Sequence, residues 1–199
     1  MRCSSLELVG HEIYENNISG AVAEVGVFRG DFAQFINLTF PDRKFYLFDT
    51  FEGFNENDAK VEIEKGYTSE LFNDIRDDDF SNTSIKHVLN KMKYPNNCII
   101  RKGYFPQTAE NIDEKFAFVS LDTDLFEPIY SGLQYFYPRM ELGGYIFVHD
   151  FNNKHYSGAK AAVKKFAKEF HVPYFPLTDI EGSAIIVKSL PYLSPPPLF

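Results

Sequence analysis

The chain has 199 residues, 28 Asp and Glu against 20 Lys and Arg, and a net charge of -8 at pH 7. With 44% hydrophobic and 17% aromatic residues it can fill one core, so residues 1–199 are read as a single globular domain. The acidic balance repels polyanions and argues against a nucleic-acid partner, and no stretch approaches the roughly 20 apolar residues of a membrane span.

A short helix is expected within residues 1–20, and MRCSSLELVG lacks the apolar run of a leader peptide. Two distant cysteines without a CxxC spacing fit a reduced, cytoplasmic setting. Residues 21–25 and 44–48 read as short buried strands, the first followed by the turn "AEVGVFRGDF". The interval from 55 to 97 is too long and polar for one helix; it reads as a loop, with 55–80 able to cover a site, and then a helix over 84–92. Further strands are expected at 98–102, 116–121, 145–148 and 184–188. Near-continuous hydrophobicity marks them as buried on both faces.

Between the last strands, Ile129, Leu133, Phe136, Tyr137 and Met140 recur at three- and four-residue steps after Pro128, giving a helix with one apolar face. Ser157 is placed to cap a helix whose inner stripe is Ala159, Val163, Phe166, Ala167 and Phe170 and whose lysines face water. Pro-rich residues 189–199 read as an extended tail or a packing arm. Strands alternating with helices predict a doubly wound α/β fold with a mostly parallel sheet.

In such a sheet ligands bind outside the carboxyl ends of the strands. Gly26 and Gly30 would let backbone approach a ligand that a Cβ would obstruct, but their E-x-G-x-x-x-G spacing is not the G-x-G-x-x-G of a dinucleotide site. Asp49 ends the second strand 23 positions after Gly26 (49 minus 26), suited to accept hydrogen bonds from ribose hydroxyls. A second group of polar side chains gathers at neighbouring strand tips: Asp122 and Asp124 at one, His149 and Asp150 at the next. Crowded carboxylates repel unless one takes a proton or a cation lies between them; oxygen ligands suit Mg²⁺ or Ca²⁺, and a ligating histidine favours a transition metal. In the alternative reading Asp124 caps the next helix, His149 bonds within its loop, and Asp122 and Asp150 are structural acceptors. The remaining histidines, His11, His87, His155 and His171, lack ligand-like spacing.

The stretches "VAEVGVFRGDFAQFI", "FYLFDTFEGF", "RKGYFPQT", "FVSLDTDLFEPIYSGLQYFYPRMELGGYIFVHDF" and "EGSAIIVK" together resemble the macrocin O-methyltransferase (TylF-like) family from about residue 18 to 188. The resemblance implies a class I methyltransferase, Rossmann-like, with a seven-stranded sheet whose last strand is antiparallel to a strand near Tyr174. It implies S-adenosylmethionine as cofactor, with Glu24, Gly26 and Gly30 at the methionine end, Asp49 and Thr50 at the ribose, and Gly103, Tyr104 and Phe105 by the adenine. It further implies a magnesium site from acids matching Asp122 and the pair at 149 and 150.

Three departures stand out: His149 replaces an acid of that pair, Thr123 replaces the glycine of a D-G-D stretch, and few residues precede the first strand. The expected reaction is methylation of a hydroxyl on a sugar, glycan precursor or secondary metabolite. Asp122 serves as base and metal ligand, Asp150 as second ligand, and His149 as third ligand or alternative base. The alternatives are a nicotinamide-dependent oxidoreductase, a non-catalytic nucleotide-binding protein, and a catechol-type enzyme acting on a phenol. A homodimer is plausible from the short amino terminus and aromatic surface.

Overall fold

A computed structural model of the chain describes residues 2–69 and 80–190. In chain order it contains α1 (Arg2–Glu15), β1 (Ala21–Val25), α2 (Ala33–Thr39), β2 (Phe45–Asp49), α3 (Glu56–Glu64), α4 (Ile85–Lys91) and β3 (Cys98–Lys102). It continues with β4 (Phe116–Leu121), α5 (Phe126–Phe136), β5 (Met140–Val148), α6 (Gly158–Phe170), β6 (Phe175–Leu177) and β7 (Ser183–Val187). The strands form one sheet in the order β3-β2-β1-β4-β5-β7-β6. Pairing is parallel from β3 to β5 and antiparallel where β7 meets β5 and β6, as expected for this fold class.

Burial on both faces explains the hydrophobic runs. On one face Ala23, Val25 and Val119 pack with Ile129, Leu133 and Phe136 of α5 and Val163 and Phe166 of α6. On the other, Val22, Leu47 and Phe118 pack with Leu6, Val9 and Ile13 of α1, Ile36 of α2 and Val88 of α4. Leaving β1, the chain winds outward through β2 and β3 and then returns to β4 on the other side of β1. This reversal opens a crevice at the tips of β1 and β4.

Several local expectations are corrected. The helix expected up to Met140 stops at Phe136; a short 3-10 turn at Tyr137–Arg139 follows, and Met140 starts β5. Pro138 accounts for the stop, since it offers no N–H to continue the helical ladder. Phe170, read as an inner residue of α6, is 48% exposed and stacks on Phe166 at 4.5 Å. The interval read as loop and helix contains an additional helix, α3, opened by Asn55, whose side chain accepts from the Asn57 N–H. Ser84 caps α4 by accepting from the His87 N–H. Residues 70–79 of the expected covering segment and 191–199 of the tail lie outside the described residues.

Ser157 sits at the start of α6 but does not cap it: its hydroxyl donates to the Tyr67 carbonyl at 2.9 Å. The capping acceptor is Glu62 of α3, whose two carboxylate oxygens accept from Gly158 N at 2.9 Å and Phe126 N at 3.0 Å. One fully buried side chain therefore closes the first turns of both α5 and α6. A Cβ on Gly158 would come within 2.2 Å of Glu62 Oε1, which is why the first helical residue of α6 is a glycine.

Candidate active site

A cleft of about 350 Å³ runs along the strand tips. Among its lining residues are Glu24, Gly26, Asp49, Thr50, Gly103, Tyr104, Phe105, Asp122, Asp124, His149 and Asp150, so eleven of the twelve residues singled out by sequence meet there. Gly30 is not among them. Its φ is +77°, and a Cβ would meet Val88 Cγ1 at 3.2 Å and Met92 Cε at 3.3 Å, so this glycine lets the turn close against α4. Gly26 also answers to packing: at φ +84° its Cβ would fall 2.0 Å from the Asp122 carbonyl oxygen. Both glycines therefore have a packing reason of their own, and Gly26 lines the cleft as well.

Asp49 organises that turn. Its Oδ2 accepts from Val27 N at 2.7 Å and Phe28 N at 2.8 Å, and its Oδ1 from Phe51 N at 2.6 Å. Phe28 and Phe51 have φ of +49° and +55°, conformations that cost a side-chain-bearing residue free energy and that the carboxylate helps to hold. A carboxylate offers about four acceptor positions, so about one remains for a ribose hydroxyl. The Thr50 hydroxyl is engaged locally, donating to the Gly53 carbonyl at 2.8 Å. Phe105 is 5% exposed and packs on Phe48, Tyr135 and Phe136, so it is core as well as cleft wall.

At the opposite end of the cleft His149 Nδ1 lies 3.0 Å from Asp122 Oδ1 and 2.9 Å from Asp150 Oδ2. The outer oxygens are fastened from behind: Asp122 Oδ2 accepts from Arg2 Nη1 at 2.9 Å, and Asp150 Oδ1 from Asn153 Nδ2 at 3.2 Å. Asp124 does not cap α5, whose first-turn amide belongs to Glu62. Asp124 and Asp150 both adopt left-handed backbone, with φ of +58° and +57°.

Charge follows from this packing. Burial works to raise the Asp122 pKa, but Arg2 and His149 outweigh it and hold the carboxyl well below the usual range. Burial works to lower the His149 pKa, yet the bonds to Asp122 and Asp150 push it up to about 10. Asp124 and Glu24 are pushed well above the ordinary carboxyl value, by burial first and by neighbouring acids next. Glu24 Oε2 has no hydrogen-bond partner among the described residues, consistent with a neutral carboxyl.

Asp122, His149 and Asp150 present ligand atoms all within 4.8 Å of one another. The two short separations match the edge of a coordination octahedron, about 3 Å for metal–ligand bonds of about 2.1 Å. With outer oxygens fixed by Arg2 and Asn153, the trio fits a divalent cation with mixed nitrogen and oxygen ligands.

Two residues in the cleft have no local sequence signal. Arg2 comes from α1, 120 positions from Asp122; its guanidinium also donates to Ser120 Oγ at 2.9 Å and lies 3.6 Å from the Phe32 ring centroid. Asp58 comes from α3, is 5% exposed, and accepts from the Tyr104 hydroxyl at 2.7 Å. Burial raises the Asp58 pKa to about 6 from 3.8. The folded protein therefore holds this proton more tightly than the unfolded chain, and stability falls as pH rises through about 4 to 6. Asp58→Asn removes the penalty and is expected to stabilise the protein at pH 7 to 8 by about 1 kcal/mol, after allowing for partial solvation. Thermal melts should converge with the wild type near pH 4; equal melting temperatures at pH 8 would contradict the assignment.

The model of the family described as Macrocin-O-methyltransferase (TylF) matches residues 1–188. No curated protein sequence matches this chain. The solved structure of the O-methyltransferase NovP superposes with a TM-score of 0.74 at 19% identity, over 95% of this chain and 80% of that one. The calicheamicin methyltransferase CalS11 gives 0.68 at 19% identity, over 94% and 78%. The O-methyltransferase TomG from Streptomyces achromogenes, solved with SAM, gives 0.58 at 10% identity, over 94% and 80%.

Proposed function

Because the chain belongs to the macrocin-O-methyltransferase (TylF) family and is an S-adenosylmethionine-dependent O-methyltransferase, we propose that it methylates a hydroxyl of a sugar, glycan precursor or secondary metabolite. CalS11, a fold relative, is described as a TDP-rhamnose 3'-O-methyltransferase, and sugar hydroxyls are the first class to test. The nicotinamide-oxidoreductase and non-catalytic alternatives are set aside. The observation that carries the proposal is the single cleft joining the Asp49 turn to Asp122, His149 and Asp150.

In this reading the nucleoside lies along the tips of β1 and β2, with the methionine part toward Glu24 and the acceptor beside Asp122. Transfer forms a carbon–oxygen bond as the carbon–sulfur bond breaks, and the hydroxyl proton must leave. Alignment of oxygen, carbon and sulfur is the first contribution of the site. Asp122 is tied to Arg2 and His149, so its proton affinity is low and its task is to orient; His149, once it has given up its own proton, is the stronger base. The alternative to His149 as base is a divalent cation held by Asp122, His149 and Asp150, which would occupy the imidazole nitrogen and itself stabilise the developing alkoxide. The imidazole moves metal preference from Mg²⁺ toward a transition ion.

The experiment is calorimetric titration with S-adenosylhomocysteine, followed by transfer assays on glycosides and nucleotide sugars with EDTA, Mg²⁺ or Mn²⁺. Binding of the nucleoside with Mn²⁺-stimulated transfer is expected. A purified protein that retains a dinucleotide and ignores S-adenosylhomocysteine would overturn the reading. Among the described residues no helix is long and apolar enough to cross a membrane. A cytoplasmic setting and a homodimer complete the proposal, the latter to be checked by sedimentation.

A further inference from the structure

We propose that Asp58 is the residue that selects adenine, by accepting a hydrogen bond from the 6-amino group of the base. The inference rests on the cofactor reading above and adds a residue from outside the strand tips. Three observations carry it. Asp58 lines the cleft together with Gly103, Tyr104 and Phe105, and with Leu125 and Pro128 from the start of α5. Phe105, Leu125 and Pro128 supply apolar surface in the same cleft as this carboxylate, as a flat base with one polar edge requires. Asp58 makes one hydrogen bond among the described residues, from the Tyr104 hydroxyl to Oδ1, which leaves Oδ2 as an acceptor without a donor.

Chemistry then favours one base edge. A carboxylate accepts and does not donate, so it matches the amino group of a 6-aminopurine and is mismatched with the carbonyl of a 6-oxopurine. α3 is fixed at two points one turn apart: Asp58 to Tyr104, and Glu62 to the first turns of α5 and α6. The carboxylate is therefore pre-positioned on a rigid support, and little ordering is needed when the base arrives.

The test compares S-adenosylhomocysteine with S-inosylhomocysteine by calorimetry on the full chain. A hydrogen bond to a charged group corresponds to at least about tenfold in affinity, so the wild type should prefer the adenosyl compound by at least about tenfold. Asp58→Asn keeps an acceptor for the Tyr104 hydroxyl and presents an N–H₂ toward the base. Its preference should vanish or reverse toward the inosyl compound. Tyr104→Phe removes the partner of Asp58 and should keep the adenosyl preference, which separates base reading from the integrity of the pair. If Asp58→Asn, folded by circular dichroism, retains the wild-type ratio, the proposal is wrong. If the wild type binds neither compound, the cofactor reading itself fails and this proposal with it.

Discussion

Asp122→Asn is expected to lower kcat/KM for methyl transfer by at least about 10²-fold while leaving S-adenosylhomocysteine binding little changed. In the wild type, Asp122 faces two cations at once, Arg2 on Oδ2 and His149 on Oδ1. An asparagine can accept from one of them only, because its other atom is an N–H₂ that points its hydrogens at the second. One part-buried cation is left without its counter-charge, and His149 loses half of what orients it. The effect should fall on kcat, since the nucleoside end of the cleft, around Asp49 and Gly103, is untouched. Single-turnover transfer together with calorimetry reads the two separately. Turnover within a few-fold of wild type would remove Asp122 from the reacting group.

Glu62→Ala should cost a large share of the stability although it removes no apolar core side chain. Its carboxylate is fully buried and accepts from Phe126 N and Gly158 N. Truncation leaves two helix first-turn amides without acceptors and opens a cavity where the side chain stood. At about 1 kcal/mol for each cap and a similar contribution from the cavity, the cost is about 3 kcal/mol. For a chain of this length that lowers the melting temperature by about 6 to 12 °C. Glu62→Gln keeps one acceptor and should lose about half as much. A melt within about 2 °C of wild type for the alanine variant would show that the clamp carries less than about 1 kcal/mol.

These two side chains also mark what was and was not legible in the residues alone. The strands were readable because burial on both faces leaves a run of apolar residues, and their tips delivered Asp49, Asp122, His149 and Asp150 to one edge by topology. Glu62 was not readable. In "ENDAKVEIE" it has the look of a solvated helical acid, and only the convergence of two helix starts gives it partners. Arg2 is a similar case, since a single arginine near the start of a helix carries no local sign of a carboxylate 120 positions away. Gly26 and Gly30 stood out by local spacing, which identifies a turn that tolerates no Cβ but does not show the Asp122 carbonyl, Val88 and Met92 packed against it. Met140 followed the helical period until Pro138 ended it, so periodicity alone carried one element into the next.

The double cap on Glu62 also supplies two built-in reporters. The amide protons of Phe126 and Gly158 point at the same carboxylate from different helices, so any excursion that lifts α3 must change both environments together. In a nitrogen–proton correlation spectrum the pair should shift in concert on nucleoside addition if α3 adjusts to the ligand, and hold still if it is already seated. Exchange of the two amides with solvent deuterium would then time the lifting of α3 without a mutation.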